Sequence, residues 1–166
     1  MRLIWTRSKS PLSVVIRWAF KEEVSHFAIV LDERIVFHSN LLGVHLQWFE
    51  VFKKSSEVVY SLSLKTTEEK ENEVYFELIK HDQRPYDWGA FLYLAWRGFL
   101  YRFFYEPMPS GKNPFGNDKW DLCLELASAL KPVLNVKDNL DMVTPFKLYT
   151  MLKPQVEACY ANVSNT

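Results

Sequence analysis

The chain of 166 residues contains too little cysteine for two common ways of stabilising a small domain. Its two cysteines, Cys123 and Cys159, cannot form the disulfide framework of a small secreted protein. Neither belongs to a CxxC pair, which excludes a zinc ribbon with four Cys or His ligands. We therefore expect a hydrophobic core to hold the fold, and we expect neither a metal ion nor a cofactor.

Net charge is also absent, because 20 Lys and Arg residues balance 20 Asp and Glu residues. Proteins that bind DNA or RNA along the phosphate backbone depend on a surplus of positive charge. The composition therefore disfavours general nucleic-acid binding.

Long hydrophobic runs are missing as well. The apolar run of residues 12–16 ends at Arg17, and no small-residue cleavage site follows it, so we expect a protein made in the cytoplasm without a signal peptide. Residues 89–105 are interrupted by Arg97 and Arg102 and fall short of the ~20 apolar residues that a bilayer requires. We interpret them as a buried or partner-facing helix, with association at a membrane surface as the alternative.

Aromatic residues, in contrast, are abundant, with 12 Phe, 8 Tyr and 6 Trp. Such side chains can fill a core, but they can also leave apolar surface for a partner. They are concentrated in residues 86–105, so this segment is where we expect a protein interface.

Most of the strand signal lies in the first 64 residues. Two β-branched and aromatic runs in residues 24–39 flank the polar residues 32–34, a pattern typical of a β-hairpin that is apolar on both faces. Residues 43–52 and 57–64 also have strand composition. A short helix over residues 11–20 is expected to lead into this sheet.

The rest of the chain predicts helices joined by one long loop. Thr66 and Thr67 are cap candidates before a run of acidic residues, which predicts a helix over residues 66–81. Without a repeat or linker to divide it, the chain is expected to form one α+β domain over residues 1–166, with its core in about residues 10–152. The remaining predictions are helices over residues 89–105, 120–134 and 145–152, a loop over residues 107–118, and a polar, frayed tail over residues 154–166.

Cys123 is the strongest candidate for chemistry because it lies early in the predicted helix 120–134. A helix N-terminus lowers the pKa of a thiol, and its free N–H groups can stabilise an oxyanion. The alternatives are a buried structural cysteine, or a zinc site formed with two histidines. The histidines available as a base are His26 and His38, together with His45 and His81, which we interpret as strand-surface and helix-end residues.

The position of His26 relative to His38 depends on the hairpin turn. With an odd loop over residues 31–33, residues whose numbers sum to 64 face each other, and the two histidines form a cross-strand pair. One could then act as the base for a thiol while the other fixes its tautomer. With a two-residue turn the sum is 65, and Ser39 would face His26 instead.

Several short segments also occur in a characteristic order. In order and spacing they resemble segments of circularly permuted papain-like proteins related to NlpC-type cell-wall peptidases, over roughly residues 10–152. His38, twelve residues after His26, further resembles the lecithin:retinol acyltransferase branch, which uses two histidines in this arrangement. The segments are SHFAIV at 25–30 with VFH at 36–38 and GV at 43–44, YDW at 86–88, CLEL at 123–126, and TPFKL at 144–148.

This resemblance implies a permuted papain-like fold, in which a small, barrel-like antiparallel sheet from the N-terminal part packs on helices from the C-terminal part. It implies Cys123 as the nucleophile, His26 as the base and His38 as the residue that orients the base. Tyr86 is a candidate for binding substrate, although a core tyrosine is an equal alternative, and Asp87 is interpreted as a helix N-cap. Leu124 and the pair Phe27-Ala28 depart from the family pattern, which puts the substrate pocket in question.

Three functions follow from these features. The first is a thiol hydrolase that cleaves amide bonds of peptidoglycan stem peptides through an acyl-enzyme, with incorporation in a bacteriophage tail as its delivery route. The second is a structural or interaction subunit with a papain-like fold and little or no catalysis. The third is a lipid or thioester acyltransferase, which the two-histidine pattern and the apolar helix favour.

Overall fold

The computed structural model describes residues 1–109, 111–117, 119–136, 140 and 142–163. The fold is α+β as predicted, and the strands all come from the N-terminal part of the described chain. In chain order the elements are β1 (Arg2–Ser8), α1 (Pro11–Phe20), β2 (His26–Leu31), β3 (Ile35–Asn40), β4 (Gly43–Trp48), α2 (Phe49–Ser55), β5 (Ser56–Ser63), α3 (Glu68–Ile79), α4 (Trp88–Phe104), a 3₁₀ helix (Glu125–Leu130) and α5 (Pro145–Val163).

The strands form an antiparallel sheet in the order β4-β3-β2-β1-β5, and the predicted barrel does not close. Its two edge strands, β4 and β5, are joined directly by α2. A seven-residue helix spans only about 10 Å, whereas four strand spacings in a flat sheet would span about 19 Å. The sheet must therefore curve, and α2 lies between the edges in the place where barrel strands would have paired.

The two faces of this sheet bury different clusters, as the period of two along a strand requires. On one face, Phe27, Ile29 and Phe37 belong to the main core, together with the 3₁₀ helix and α5. On the other face, Ala28 and Val36 belong to a smaller cluster with residues of α2. His26 and His38 are in register with this second set, so they lie on the face that α2 covers.

Two strand predictions need correction. Strand β1 was not predicted, although it pairs with both β2 and β5. Residues 43–52 do not form one strand, because the strand ends at Trp48 and α2 begins at Phe49. The helix forms because Phe49 and Phe52, three residues apart, both reach the small cluster inside the curved sheet.

The two long helices predicted from caps and periodicity are confirmed. The Thr67 side chain accepts a hydrogen bond from the Lys70 N–H and begins α3. The Asp87 side chain accepts one from the Ala90 N–H at 2.8 Å and begins α4, which confirms its capping role. Helix α1 packs closely on α4 at Gly98, where a Cβ atom would lie 2.8 Å from the Phe20 ring.

The predictions for the C-terminal third are partly wrong. Residues 120–134 form only the 3₁₀ helix Glu125–Leu130, because backbone hydrogen bonds of Asp121 to Pro85 and Asp87 hold the chain extended before Cys123. Residues 154–163 belong to α5, which runs through Pro154, so they are not a frayed tail. Of the predicted loop and tail, residues 110, 118 and 164–166 lie outside the described residues.

Candidate functional site

The β2–β3 hairpin has an odd loop, but its register differs from the predicted one. Ala28 faces His38 and Leu31 faces Ile35, so facing residues sum to 66 rather than 64. The turn hydrogen bond joins the Arg34 N–H to the Leu31 carbonyl, and the two residues between them have positive φ angles. The prediction that His26 faces His38 directly is therefore wrong, although the odd loop keeps both on one face.

The two histidines nevertheless meet diagonally, since they lie two positions apart in the register. Their ring centroids are 5.5 Å apart and nearly perpendicular. The Phe52 ring of α2 lies 4.9 Å from the His38 ring and 6.2 Å from the His26 ring. The fold thus brings His26 and His38 together under one aromatic side chain.

His45 extends this pair into a row across three strands, which the sequence interpretation did not include. It faces His38 in the β3–β4 register, and the two ring centroids are 4.5 Å apart. Its Nδ1 lies 3.1 Å from the Gly43 carbonyl oxygen. A signal was available, because a two-residue turn at residues 41–42 makes facing residues sum to 83 and pairs 38 with 45.

Cys123 lies where the pairing of β2 with β3 ends. The ladder stops at Ala28 and His38, so the Phe27 N–H is outside it and points to the Cys123 Sγ. Beside it, the Ser39 hydroxyl donates to the Asp121 carbonyl oxygen at 3.1 Å. The segment that carries the cysteine is therefore inserted at the end of the hairpin, next to the residue that follows His26.

The thiol of Cys123 is not activated by a helix as predicted. No α-helix begins at this residue, and its side chain is buried, with 9% of the residue exposed. Burial raises the pKa of the thiol to about 11, although N–H groups of Phe27, Cys123 and Leu124 oppose this increase. At neutral pH the sulfur is protonated, with three backbone donors directed at it.

His26 and His38 are also uncharged at neutral pH. Burial lowers the pKa of His26 to about 4, and the charge of His45 contributes to the decrease. Burial likewise lowers the pKa of His38 to about 3, with contributions from the charges of His26 and His45. Among the described residues, neither nitrogen of His38 nor the Nε2 atom of His26 has a hydrogen-bond partner of normal distance and angle. The Gln47 side chain nevertheless interacts with the His38 ring and opposes the decrease of its pKa.

Tyr86 stands next to Cys123 in the folded chain. Its backbone forms a bridge with Asp121, two residues before the cysteine, and its ring packs 5.3 Å from Trp88. Burial raises the pKa of the Tyr86 hydroxyl, and the negative charge of an ionised Cys123 would raise it further. The phenol therefore stays protonated at neutral pH and is available as a hydrogen-bond donor.

One cavity of about 1400 Å³ connects the predicted site residues. His26, His38, Tyr86 and Cys123 all line it. Apolar side chains contributed by α1, by α4 and by the residues on either side of Cys123 form part of its wall. They are Leu12, Ile16, Phe91, Leu94, Leu122 and Leu124.

Positive charge is concentrated on another part of the cavity wall. Arg7, Lys9 and Arg17 line it together with Lys53 and Lys54, while Glu57 is the carboxylate that accompanies them. The Arg7 guanidinium donates two hydrogen bonds to this carboxylate, at 2.8 and 2.9 Å. The pKa of Glu57 is lowered by the hydrogen bond from Arg7 and also by the charges of Arg17 and Lys9, which shows that these cations lie near one another.

Comparison of the chain with protein-family models, with curated proteins and with solved structures finds no match. In the part of the chain that the structure describes, no group of three or more His, Cys, Asp or Glu side chains is placed to hold a metal ion. The zinc alternative with His26, His38 and Cys123 therefore has no support in the geometry. The site is best described as a buried thiol, the two neutral histidines His26 and His38, and a phenol that line one cavity.

Proposed function

We propose that this protein is a cysteine-dependent amide hydrolase in which Cys123 is the nucleophile and His26 is the general base. The observation that supports this most is the convergence of His26, His38, Tyr86 and Cys123 on one cavity. These residues come from two strands, the segment before α4 and the segment before the 3₁₀ helix, and each is a candidate site residue in the sequence. A thiol, a base and a hydrogen-bond donor are the groups that acyl transfer requires.

In the proposed reaction, the Cys123 Sγ adds to the carbonyl carbon of the amide while its proton passes to His26. His26 then gives this proton to the departing amine, and a thioester remains on the sulfur. Water next adds to the thioester carbonyl as His26 takes its proton. The tetrahedral adduct releases the carboxylic acid, and the sulfur recovers a proton from His26. Atoms and charge balance over the two half-reactions, which together hydrolyse one amide bond.

The protonation states of the free protein favour this route over a preformed ion pair. Because the pKa of His26 is lowered to about 4, its ring is neutral and can accept a proton at pH 7. Because the pKa of Cys123 is raised to about 11, the thiol keeps its proton until attack. We expect the backbone N–H groups near Sγ to stabilise the negative charge that develops during the transfer.

His38 and Tyr86 have supporting roles in this proposal. His38 packs against the His26 ring and limits its orientation, so it acts as a positioning residue. Tyr86 donates its phenolic proton to the bound substrate. The cationic stretch of the cavity wall suits a substrate with carboxylate groups, as peptidoglycan stem peptides have, and a bacteriophage tail remains the delivery route that we favour.

The buried thiol favours a second candidate function, a binding or structural subunit with little catalysis. A protonated, largely inaccessible cysteine is typical of structural positions. The apolar wall formed by α1 and α4 separately favours an acyl substrate with a hydrocarbon chain, as in a lipid or thioester acyltransferase. Experiments on Cys123 distinguish the enzyme hypotheses from the subunit.

The first experiment is digestion of purified peptidoglycan by the wild-type chain and by Cys123→Ala. We expect new muropeptides with the wild type and a loss of at least about 1000-fold in rate for the variant, since removal of a nucleophile has effects of this size or larger. Cys159→Ser is the matched control and should retain full activity. Identical muropeptide profiles for wild type and Cys123→Ala would reject the proposed substrate.

Alkylation of the thiol tests the site without any substrate. In the Cys159→Ser variant, iodoacetamide should modify Cys123 at a rate that rises about tenfold per pH unit through pH 9, because only the thiolate reacts and the pKa is raised. An electrophilic probe of the substrate's acyl group should label it faster than iodoacetamide does. Labelling that is independent of pH well below the ~8.5 of a free thiol would instead indicate a thiolate paired with protonated His26.

A further inference from the structure

The outward face of α4 has a continuous aromatic stripe. At 100° per residue, Trp88, Leu92, Trp96, Phe99 and Phe103 fall within about 80° of the helix circumference. All five side chains are exposed, whereas the buried positions of the helix lie on the opposite side. Among the residues that the structure describes, nothing covers this stripe.

The stripe continues onto α1. The rings of Trp96 and Phe99 stack at 5.7 Å, Phe99 lies 4.7 Å from Phe103, and Phe103 lies 5.5 Å from Trp18 of α1. Trp18 is 45% exposed, and Val14 on the same helix is 47% exposed. The outer sides of two packed helices therefore form one exposed surface, which we call the α1/α4 face.

The helices of the α1/α4 face carry charges of one sign, and the carboxylates that follow them bond to other groups. Glu22 accepts a hydrogen bond from the Thr144 hydroxyl, Glu23 accepts one from the Tyr60 hydroxyl, and Glu106 pairs with Arg97 at 3.2 Å. Neither α1 nor α4 contains an Asp or Glu residue. Lys21, which caps α1, lies 5.9 Å from the Tyr105 ring, and the Arg102 guanidinium lies 5.7 Å from the Trp18 ring. The cations thus stand among the aromatic rings themselves, as Lys and Arg do beside Trp and Tyr at the border of a bilayer.

Helix α3 shows that this combination is not general to the protein surface. It also exposes a phenylalanine, Phe76, which is 65% exposed. Its twelve residues, however, contain five Glu and one Lys. An apolar residue on this helix is therefore surrounded by negative charge, unlike the residues of the α1/α4 face.

We propose that the α1/α4 face binds the surface of an anionic lipid bilayer. A second copy of the chain fits less well, because a two-fold contact would place Lys21 and Arg102 against the same cations without a carboxylate from either helix. Anionic headgroups neutralise these cations while the aromatic rings enter the interface. In the described part of the chain no helix is long and apolar enough to span a membrane. The proposed binding is therefore to the bilayer surface.

Such binding would place the cavity close to the membrane. The inner sides of the same helices, including Ile16 of α1 and Phe91 and Leu94 of α4, line the cavity that reaches Cys123. One helix is only about 10–12 Å across with its side chains. The bilayer contact is nevertheless independent of Cys123, because the residues that make it point away from the cavity.

The experiment is sedimentation of the full chain with unilamellar vesicles, either of phosphatidylcholine alone or with one quarter phosphatidylglycerol. We expect stronger binding to the anionic vesicles at 0.1 M salt, weakened by 0.5 M salt. The double variant Trp96→Ser/Phe103→Ser should bind at least about tenfold more weakly. Arg102→Ala should lose about fivefold on anionic vesicles and nothing on neutral ones. Phe76→Ser is the matched control and should bind as the wild type does.

Two results would overturn the proposal. One is equal vesicle binding by the wild type and the double variant while circular dichroism shows both folded. The other is a result in which the wild type binds no vesicles and is a dimer in sedimentation equilibrium, while the double variant is a monomer. That result would assign the face to a second copy of the chain. Cys123→Ala should bind vesicles like the wild type, so a failure of the proposed hydrolase and a failure of membrane binding are separate outcomes.

Discussion

Two histidine sites in this protein have opposite surroundings. His81, at the end of α3, has its Nδ1 atom 2.9 Å from an Asp121 carboxylate oxygen, and Arg84 approaches the other oxygen at 3.5 Å. His38, on β3, contacts the rings of two other histidines and Phe52, and neither of its nitrogens has a hydrogen-bond partner of normal distance and angle among the described residues. The first site satisfies its polar atoms through charged partners. In the second, the interaction that favours a protonated ring is with the Gln47 side chain, and burial outweighs it.

Under the proposed function, the difference is one between a structural and a functional histidine. Asp121 fixes the strand-like segment before Cys123, since its backbone pairs with Tyr86 while its side chain holds His81. A buried polar atom without a partner costs about 1–3 kcal/mol of stability. Such a cost is expected where a group must remain available to a substrate, and His38 lies on the cavity where that would occur.

The largest loss of stability is expected when the site formed by His81, Arg84 and Asp121 is broken. Asp121→Ala leaves His81 and Arg84 without their shared acceptor in a largely buried position. We expect the free energy of unfolding to fall by roughly 3 kcal/mol, the lower end of the range for a broken buried pair, because Arg84 is partly exposed. Urea denaturation measures this loss. Asp82→Ala, next to His81 in the chain, is the control. Equal losses of stability for the two substitutions would contradict a special role for Asp121.

Much of the fold could be predicted where local signals agree with tertiary packing. The caps Thr67 and Asp87 and the helical periodicity located α3 and α4 to within a few residues. The prediction failed where tertiary contacts override composition. Residues 49–52 have strand-forming side chains, yet Phe49 and Phe52 form a helix because the curved sheet offers them a common apolar cluster.

The candidate site residues share one cavity, but their protonation states could not be predicted from the sequence. Each of Cys123, His26, His38 and Tyr86 lines the cavity, as a shared site requires. A sequence alone cannot give the depth of burial, which reverses the expected direction of the thiol pKa. It also cannot fix the position of the three-residue hairpin turn, which lies one residue later than predicted and sets His38 opposite Ala28.

A second test of the comparison measures stability as the pH is lowered. At pH 5, a histidine of the unfolded chain binds a proton, because its usual pKa is about 6.5. His38 in the native state does not, since its pKa is lowered to about 3. Stability contributed by the neutral ring is thus present at pH 8 and decreases as pH falls below 6.5. In His38→Leu, the decrease between pH 6 and pH 4.5 should be shallower than in wild type by about 1.4 kcal/mol per pH unit. Parallel curves would contradict a neutral His38.

The smallest expected change in the free energy of unfolding is that of His38→Leu. It is the most discriminating, because its sign is opposite to that of Asp121→Ala. At pH 8, where the ring is neutral in both states, His38→Leu replaces two unsatisfied nitrogens by methyl groups against Phe52. We expect unfolding to require about 1 kcal/mol more free energy than in wild type, and peptidoglycan hydrolysis to slow because His26 loses its neighbouring ring. His45→Gln, on the half-buried member of the row, should leave stability within about 0.5 kcal/mol. If His38→Leu instead lost stability by as much as Asp121→Ala does, His38 would be a structural histidine like His81.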